Sequence, residues 1–353
     1  MDKSNNKAGR QISIWLAVGI FMVLIQILLG GITRLTGSGL SITEWKPLMG
    51  AFPPISKADW EHSFEQYRQI AQFKKLNNNF NLTDFQHLFF WEWLHREWAR
   101  LMGLVFIIPF LVFLWQKKFS IKIKWQLAGV FLLGAIQGLA GWLMVKSGLN
   151  DTDVSVNHIR LAIHFMLALV LLVYLFWMFL TIRIKLKPGL GTKGFCNLTL
   201  TIILLMAIQF VYGAFMAGTH AALYAPTWPD INGAFLQVSP DVKGNFLHKI
   251  ADDPLLIQFI HRAFAYLLIT LLLIWFLIGR QLSRIRNFAL LAVTLQAFLG
   301  VVCLLNAGTP VYIWLAVLHQ LNGIVLLLIM VTALYWSNGR VISKKSKIEQ
   351  SCL

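Results

Sequence analysis

The chain alternates long apolar runs with short, charged breaks. Eight runs of about 20 residues, the length that crosses a hydrocarbon core as a helix, fall near 12–32, 92–115, 125–145, 160–182, 198–218, 255–278, 287–306 and 312–336. Lipid leaves a spanning backbone no hydrogen-bond partner but itself, so these segments must be helices. The pattern predicts an all-α polytopic membrane protein with eight transmembrane helices.

Charge adds topology to this picture. The 353 residues are 57% hydrophobic and 13% charged, with a net charge of +16. A basic excess of that size on one folded surface would suggest nucleic acid. Here it falls instead in short segments at alternate span ends: Lys3, Lys7 and Arg10; Lys117, Lys118, Lys122 and Lys124; Arg183, Lys185, Lys187 and Lys193; Arg280, Arg284 and Arg286; and Arg340, Lys344, Lys345 and Lys347. Only Asp2 and Glu349 oppose them, and the rest of the chain sums to zero. The positive-inside rule then puts both termini and these segments in the cytoplasm, with the long loops 33–91 and 219–254 on the other face. The first run follows a short polar start without a small-residue cleavage site, so a retained helix in a bacterial inner membrane is expected. Cys196 and Cys303 lie in spans and Cys352 in the tail, so no disulfide is expected on the oxidising face.

The second half repeats the first. Residues 25–52 align without a gap on 208–235, pairing Gln26 with Gln209, Gly30 with Gly213, Trp45 with Trp228, Gly50 with Gly233 and Phe52 with Phe235. Further on, His95 and Arg96 fall on His261 and Arg262, Gln137 on Gln296, Gly141 on Gly300, and His164 on His319. Four spans per repeat keep the two halves in the same orientation, so two parallel-repeat four-helix bundles are expected. Their bounds are 1–182 and 198–353, joined by a cytoplasmic linker at 183–197.

Each even-numbered span carries one histidine within its first turns: His95, His164, His261 and His319. All four therefore lie at similar depth near the long-loop face, two per bundle. An imidazole in lipid is costly without a partner, and two facing imidazoles suit axial ligation of a haem iron. Packing histidines bonded to a neighbouring helix are the plain alternative. Zinc or copper would want further nitrogen, sulfur or carboxylate ligands. A proton path would continue through the cytoplasmic half of these helices, which is apolar. Gly30, Gly31, Gly134, Gly138, Gly141, Gly213 and Gly218 leave room for a flat macrocycle, or else let helices approach closely. Arg96 and Arg262 are candidate propionate contacts, with interfacial snorkelling as the alternative.

The repeats differ at one telling position. Glu92 stands three residues before His95 and shares a helical face with it, whereas Gln258 stands three before His261. A carboxylate beside one histidine pair and an amide beside the other predicts different work for the two bundles: chemistry in the first, electron transfer or structure in the second. A glutamate favoured by the dipole at a helix start is the competing explanation for Glu92.

With these residues the chain resembles the haem A synthase family (Cox15/CtaA), and is most similar to its alphaproteobacterial and mitochondrial members. The resemblance covers nearly the whole chain: the duplicated eight spans, "GGITRLTGSGLSITEWKP" after the first, the Glu92–His95–Arg96 motif and the other three histidines. The loop cysteine pair of some bacterial members is absent. The resemblance implies oxidation of the C8 methyl of haem O to a formyl group by successive hydroxylations, giving haem A for cytochrome oxidase. It places haem O between His95 and His164 with Glu92 as catalytic carboxylate, and a haem b cofactor between His261 and His319. Expected partners are haem O synthase (a protohaem farnesyltransferase), an electron donor or acceptor, membrane lipid and a homo-oligomeric copy, and no nucleic acid. A di-haem, quinol-linked electron-transfer protein is the rival reading, and a haem transporter or chaperone a third. Loop 33–91 is expected either to cap the haem pocket or merely to cover the bundle mouth.

Overall fold

The computed structural model describes residues 3–44, 52–184, 192–239 and 245–337. Eleven α-helices occur among them: α1 (Lys3–Leu35), α2 (Lys57–Arg68), α3 (Ala71–Leu76), α4 (Leu82–Trp115), α5 (Ile121–Lys146), α6 (His158–Arg183), α7 (Lys193–Gly218), α8 (Phe246–Asp252), α9 (Pro254–Ile278), α10 (Ser283–Leu305) and α11 (Tyr312–Ser337). The eight long helices are those expected as spans, each long and apolar enough to cross a bilayer. The chain is a multi-pass membrane protein.

Several helix starts precede expectation: α1 begins at Lys3 rather than 12, and two others bear on the site and the linker. Helix α4 begins at Leu82 rather than at 92, because Asn81 and Asp84 form a capping box that starts it ten residues earlier. Glu92 therefore sits nearly three turns inside the helix, and the dipole at a helix start does not account for it. Helix α7 begins at Lys193 under a Thr192 cap, five residues before the expected start. The linker shortens accordingly to 184–192, and its residues 185–191, with Lys185 and Lys187, lie outside the described residues. So do Asp2, Trp45, Gly50, Arg340, Lys344, Lys345, Lys347, Glu349 and Cys352.

Helices α1, α4, α5 and α6 form one bundle, and α7, α9, α10 and α11 the other. They meet along a central seam in which α6 packs on α7 and α1 on α11. Leu16, Leu172, Ile202, Ile324 and Met330 are fully or almost fully buried in the apolar core around this seam. Two glycines permit the close approach: a side chain on Gly31 would collide with Gln320 of α11, and one on Gly218 with His158 of α6. For these two positions helix packing is the explanation. Arg34, at the end of α1, crosses the seam to donate to the Gly218 carbonyl (2.8 Å) and to His220 Nε2 (3.0 Å).

The duplication extends into the loops. The chain leaves α1 through Gly37 at φ 70° and leaves α7 through His220, its counterpart, at φ 54°. In the first repeat this turn leads to α2 and α3, which pack on the early turns of α4. There Tyr67, Phe73, Phe85 and Phe89 make a separate aromatic core. Gln72 donates to the Gly37 carbonyl at 2.9 Å and accepts from the Tyr67 hydroxyl at 3.0 Å, which ties this cap to the turn beneath it. In the second repeat the corresponding anchor is Asp253, a fully buried N-cap of α9. Its carboxylate accepts from the Leu255 and Leu256 amides and from both the amide and hydroxyl of Ser239.

Removing such a buried cap should cost more than removing an exposed one. Asp253→Ala is expected to destabilise the protein by about 2 kcal/mol, the upper end for caps, and Asn81→Ala by about half as much. Thermal unfolding of both variants in detergent checks this; equal losses would show that burial adds nothing at Asp253.

Candidate functional site

Each of the four histidines meets the span that precedes its own in the same way. His95 on α4 faces Gln26 and Gly30 of α1, and His164 on α6 faces Gln137 and Gly141 of α5. His261 on α9 faces Gln209 and Gly213 of α7, and His319 on α11 faces Gln296 and Gly300 of α10. Each glutamine and glycine are four residues apart, so they present one face to the ring. The glutamine amide lies 3.2–3.5 Å from ring Nε2 in every case. At His95 it also lies 3.3 Å from Nδ1.

The glycine is there for space. A methyl group on Gly30, Gly141, Gly213 or Gly300 would lie 3.1, 2.8, 3.5 or 3.0 Å from the Cε1 of its histidine. At Gly141 and Gly300 the ring would have to move. The glutamines were paired in the sequence only as signs of duplication. A Gln-x-x-x-Gly pattern recurring once before each histidine span was the available signal for their role.

All four histidines line one cavity of about 1220 Å³ that extends across both bundles, larger than the usual pocket for a single small ligand. The His261 and His319 rings face each other with centroids 6.5 Å apart and planes 64° apart. Two imidazoles sharing a metal through bonds of about 2 Å have centroids roughly 6 Å apart, so this pair already has the right span. Nδ1 of His164, His261 and His319 is buried without a protein partner, as is Oε1 of Gln26, Gln137 and Gln209. Buried polar atoms left open around an apolar cavity are costly without a ligand. Facing imidazoles, glycine-walled space and unpaired nitrogens fit a flat metallated macrocycle.

The carboxylate and the amide are built into their sites in opposite senses. Glu92 is 3% exposed. Its Oε2 accepts from the Ser41 hydroxyl (2.7 Å) and the Ile42 amide (2.9 Å), and its Oε1 from Arg96 (2.6 Å). All three partners are donors, so the side chain is held as an acceptor beside His95. Gln258 is fully buried, and its amide nitrogen donates to the carbonyls of Ala221 (3.3 Å) and Ala225 (3.1 Å). Ile42 and Ala225 are equivalent positions in the two repeats. The same loop thus offers an N–H to the glutamate in one half and a carbonyl to the glutamine in the other.

The two arginines hold these loops. Arg96 donates to the Ile42 carbonyl (3.2 Å) as well as to Glu92, while Arg262 donates to the carbonyls of Thr227 (2.7 Å) and Asp230 (2.8 Å) and to Gln258 Oε1 (3.1 Å). Both also line the cavity. Residues 39–44 of the first long loop reach the cavity through Gly39, Ile42, Thr43 and Glu44, so this part of the loop caps the pocket. Glu97 and Arg100 pair with each other at 2.7 Å.

Residues 13–331 match the COX15-CtaA family, described as cytochrome oxidase assembly proteins. The chain belongs to this family. Among curated relatives of this COX15-CtaA protein, one from Paramagnetospirillum magneticum is 38% identical over 347 residues, covering 95% of this chain and 96% of the relative. Another, from Flavobacterium psychrophilum, is 37% identical over 333 residues, covering 91% and 96%. A third, from Sphingopyxis alaskensis, is 37% identical over 328 residues, covering 91% and 90%. All three are named heme A synthase.

The inverted loop chemistry predicts what exchange would do. Glu92→Gln sets an amide among donors and should loosen the loop, seen as faster hydrogen exchange at the Ile42 amide. Gln258→Glu sets a carboxylate against two carbonyls and should lower the melting temperature more, since an unmatched buried charge costs more than an unmatched amide. Unchanged exchange at Ile42 would mean that Glu92 does not hold the loop.

Proposed function

We propose that the chain is a haem A synthase, oxidising the C8 methyl of haem O to a formyl group by successive hydroxylations. The observation that carries the reading is a buried, donor-held carboxylate beside one of two histidine pairs that share the same glutamine and glycine neighbours. His95 and His164, in the bundle of residues 1–182, would hold the substrate haem O. His261 and His319, in the bundle of 198–353, would hold a haem b cofactor. That cofactor would supply electron transfer when bound.

The protein's own part is positional and electrostatic. The glutamines set the rotation of each imidazole, and the glycines leave each imidazole room to stand. Glu92, an acceptor fixed from three sides, would place negative charge where positive charge develops on the methyl carbon or take the proton released there. Its three partners keep it from reorienting, so little reorganisation is needed as the charge appears. Loop residues 39–44 cover the pocket and exclude water from the reacting edge.

The enzyme would sit in a bacterial inner membrane with both termini in the cytoplasm, as the distribution of basic residues supports. A protohaem farnesyltransferase would supply the substrate, and the electron donor or acceptor would come from outside the chain. An electron-transfer protein with two permanent, equivalent haems is disfavoured by the Glu92–Gln258 contrast, since equivalent sites have no use for opposite loop chemistry.

Expression beside a haem O supply, with extracted haems analysed by mass, tests the reading. The native chain should yield haem A. Glu92→Gln should yield at least about a hundredfold less, on the scale of a lost general base, with the resident haem spectrum intact. His319→Ala should lose that resident spectrum. Normal haem A from Glu92→Gln would remove the catalytic assignment, and haem O unchanged by the native chain would remove the function.

A further inference from the structure

The two bundles differ on their outer sides as well as at the carboxylate. Helices α9 and α10 pack against each other, while their counterparts α4 and α5 make at most glancing backbone approach. At the short-loop end the gap is closed by Phe131 of α5, whose ring meets Phe106 and Phe110 of α4 edge-on at 5.1 and 4.9 Å. Above these rings it is open. A side chain added at Gly103, Gly134 or Gly138 would meet nothing within 4 Å, and all three line the central cavity. Gly134, Gly138 and Ile107 are exposed and also line the cavity.

The second repeat fills the same places. Gly103 corresponds to Ile269, Gly134 to Val293 and Gly138 to Ala297. Val293 is buried, where Gly134 is exposed. The first bundle therefore has a side slot between α4 and α5, continuous with the cavity that the histidines line, at positions where the second bundle carries side chains. At the head of the slot stand buried polar atoms with no partner: Gln137 Oε1, on the same helix as two of the glycines, and His164 Nδ1.

We propose that this slot holds the isoprenoid chain of the substrate haem and is its lateral way in from the bilayer, a proposal that rests on the haem O reading above. Haem O differs from haem b by a long hydrocarbon chain on the porphyrin rim, and only the first bundle has somewhere to put one. Gly103 lies about 12 Å along α4 from His95, and Gly134 about 10 Å along α5 from Gly141. A chain laid in the slot would run from the macrocycle toward the middle of the membrane, among Met102, Phe106, Ile107 and Ala135. The slot also sets orientation. The porphyrin rim carries four methyl groups; the two propionates leave one flip of the disc open, and the chain, present on one side alone, separates the two orientations. Fixing it in one gap fixes which methyl lies beside Glu92.

The test is to give the first bundle the residues of the second. In full-length protein carrying Gly103→Ile and Gly134→Val, haem O and haem b are titrated separately and binding at the first bundle is followed by absorbance. Haem O affinity is expected to fall about tenfold or more, the worth of two or so methylenes losing contact, with a smaller change for haem b. The spectrum of the resident haem in the second bundle, expected unchanged, reports that the protein is folded. Equal losses for both haems, or no loss for haem O, would overturn the proposal. A second variant covers misfolding: Gly138→Cys should react with a membrane-permeant maleimide beyond the native cysteines and be protected by haem O but not by haem b. Protection by neither, or by both alike, would also overturn it. Both readouts are binding measurements, so they stand apart from product formation: a native chain that bound haem O through the slot yet made no haem A would fail the function and not the slot.

Discussion

An imidazole inside a membrane has to be given partners, because the surrounding hydrocarbon supplies none. That constraint organises this protein. Each histidine is met by a glutamine for hydrogen bonding and a glycine for clearance, both from the preceding span, and the four-residue spacing keeps the two on one face. The helix pairs α1–α4, α5–α6, α7–α9 and α10–α11 are thus each joined at a histidine. At the long-loop end the two repeats are further bridged by Arg34, which donates to the Gly218 carbonyl and His220, and by His158, which meets the Ala251 carbonyl. Three of the imidazoles keep one nitrogen unpaired, so the protein's own partners are one short of satisfying them.

Duplication makes the differences between the halves informative. A shared framework of histidine, glutamine and glycine shows what any macrocycle in these bundles would need. Departures from it mark what is particular to one half: the glutamate with its donor loop, the aromatic cap of α2 and α3, and the open seam between α4 and α5. All three lie in the first repeat. The second repeat has Gln258 in place of the glutamate and packs α9 against α10.

Much of this was legible in the chain itself. Long uncharged runs announce spans because lipid permits only one backbone solution, and histidines stand out because they are expensive there. The contrast between Glu92 and Gln258 is visible in an alignment of the halves. The early start of α4 was hidden because Asp84, Gln86 and His87 interrupt the apolar run, although Asn81 and Asp84 have capping-box spacing. The role of the glutamines was hidden for a different reason: an amide in a span says only that it needs a partner, and which ring it meets depends on how helices are rotated. Glycines carried the least information. Gly31 and Gly218 serve helix packing, Gly30 and Gly141 clear a ring, and Gly134 and Gly138 border open space. Nothing local in sequence separates these uses.

The loops at Ile42 and Ala225 bear on how freely the two halves can trade residues. In both repeats the carbonyl at this position accepts from the arginine that follows the histidine, Arg96 or Arg262. The rest of the match differs: the Ile42 N–H serves Glu92, while the Ala225 carbonyl also accepts from Gln258. Starting from identical repeats, an exchange of glutamate for glutamine alone would have left a buried polar group without its partner. Side chain and loop are matched within each half, and neither can be grafted into the other repeat without the partner that goes with it.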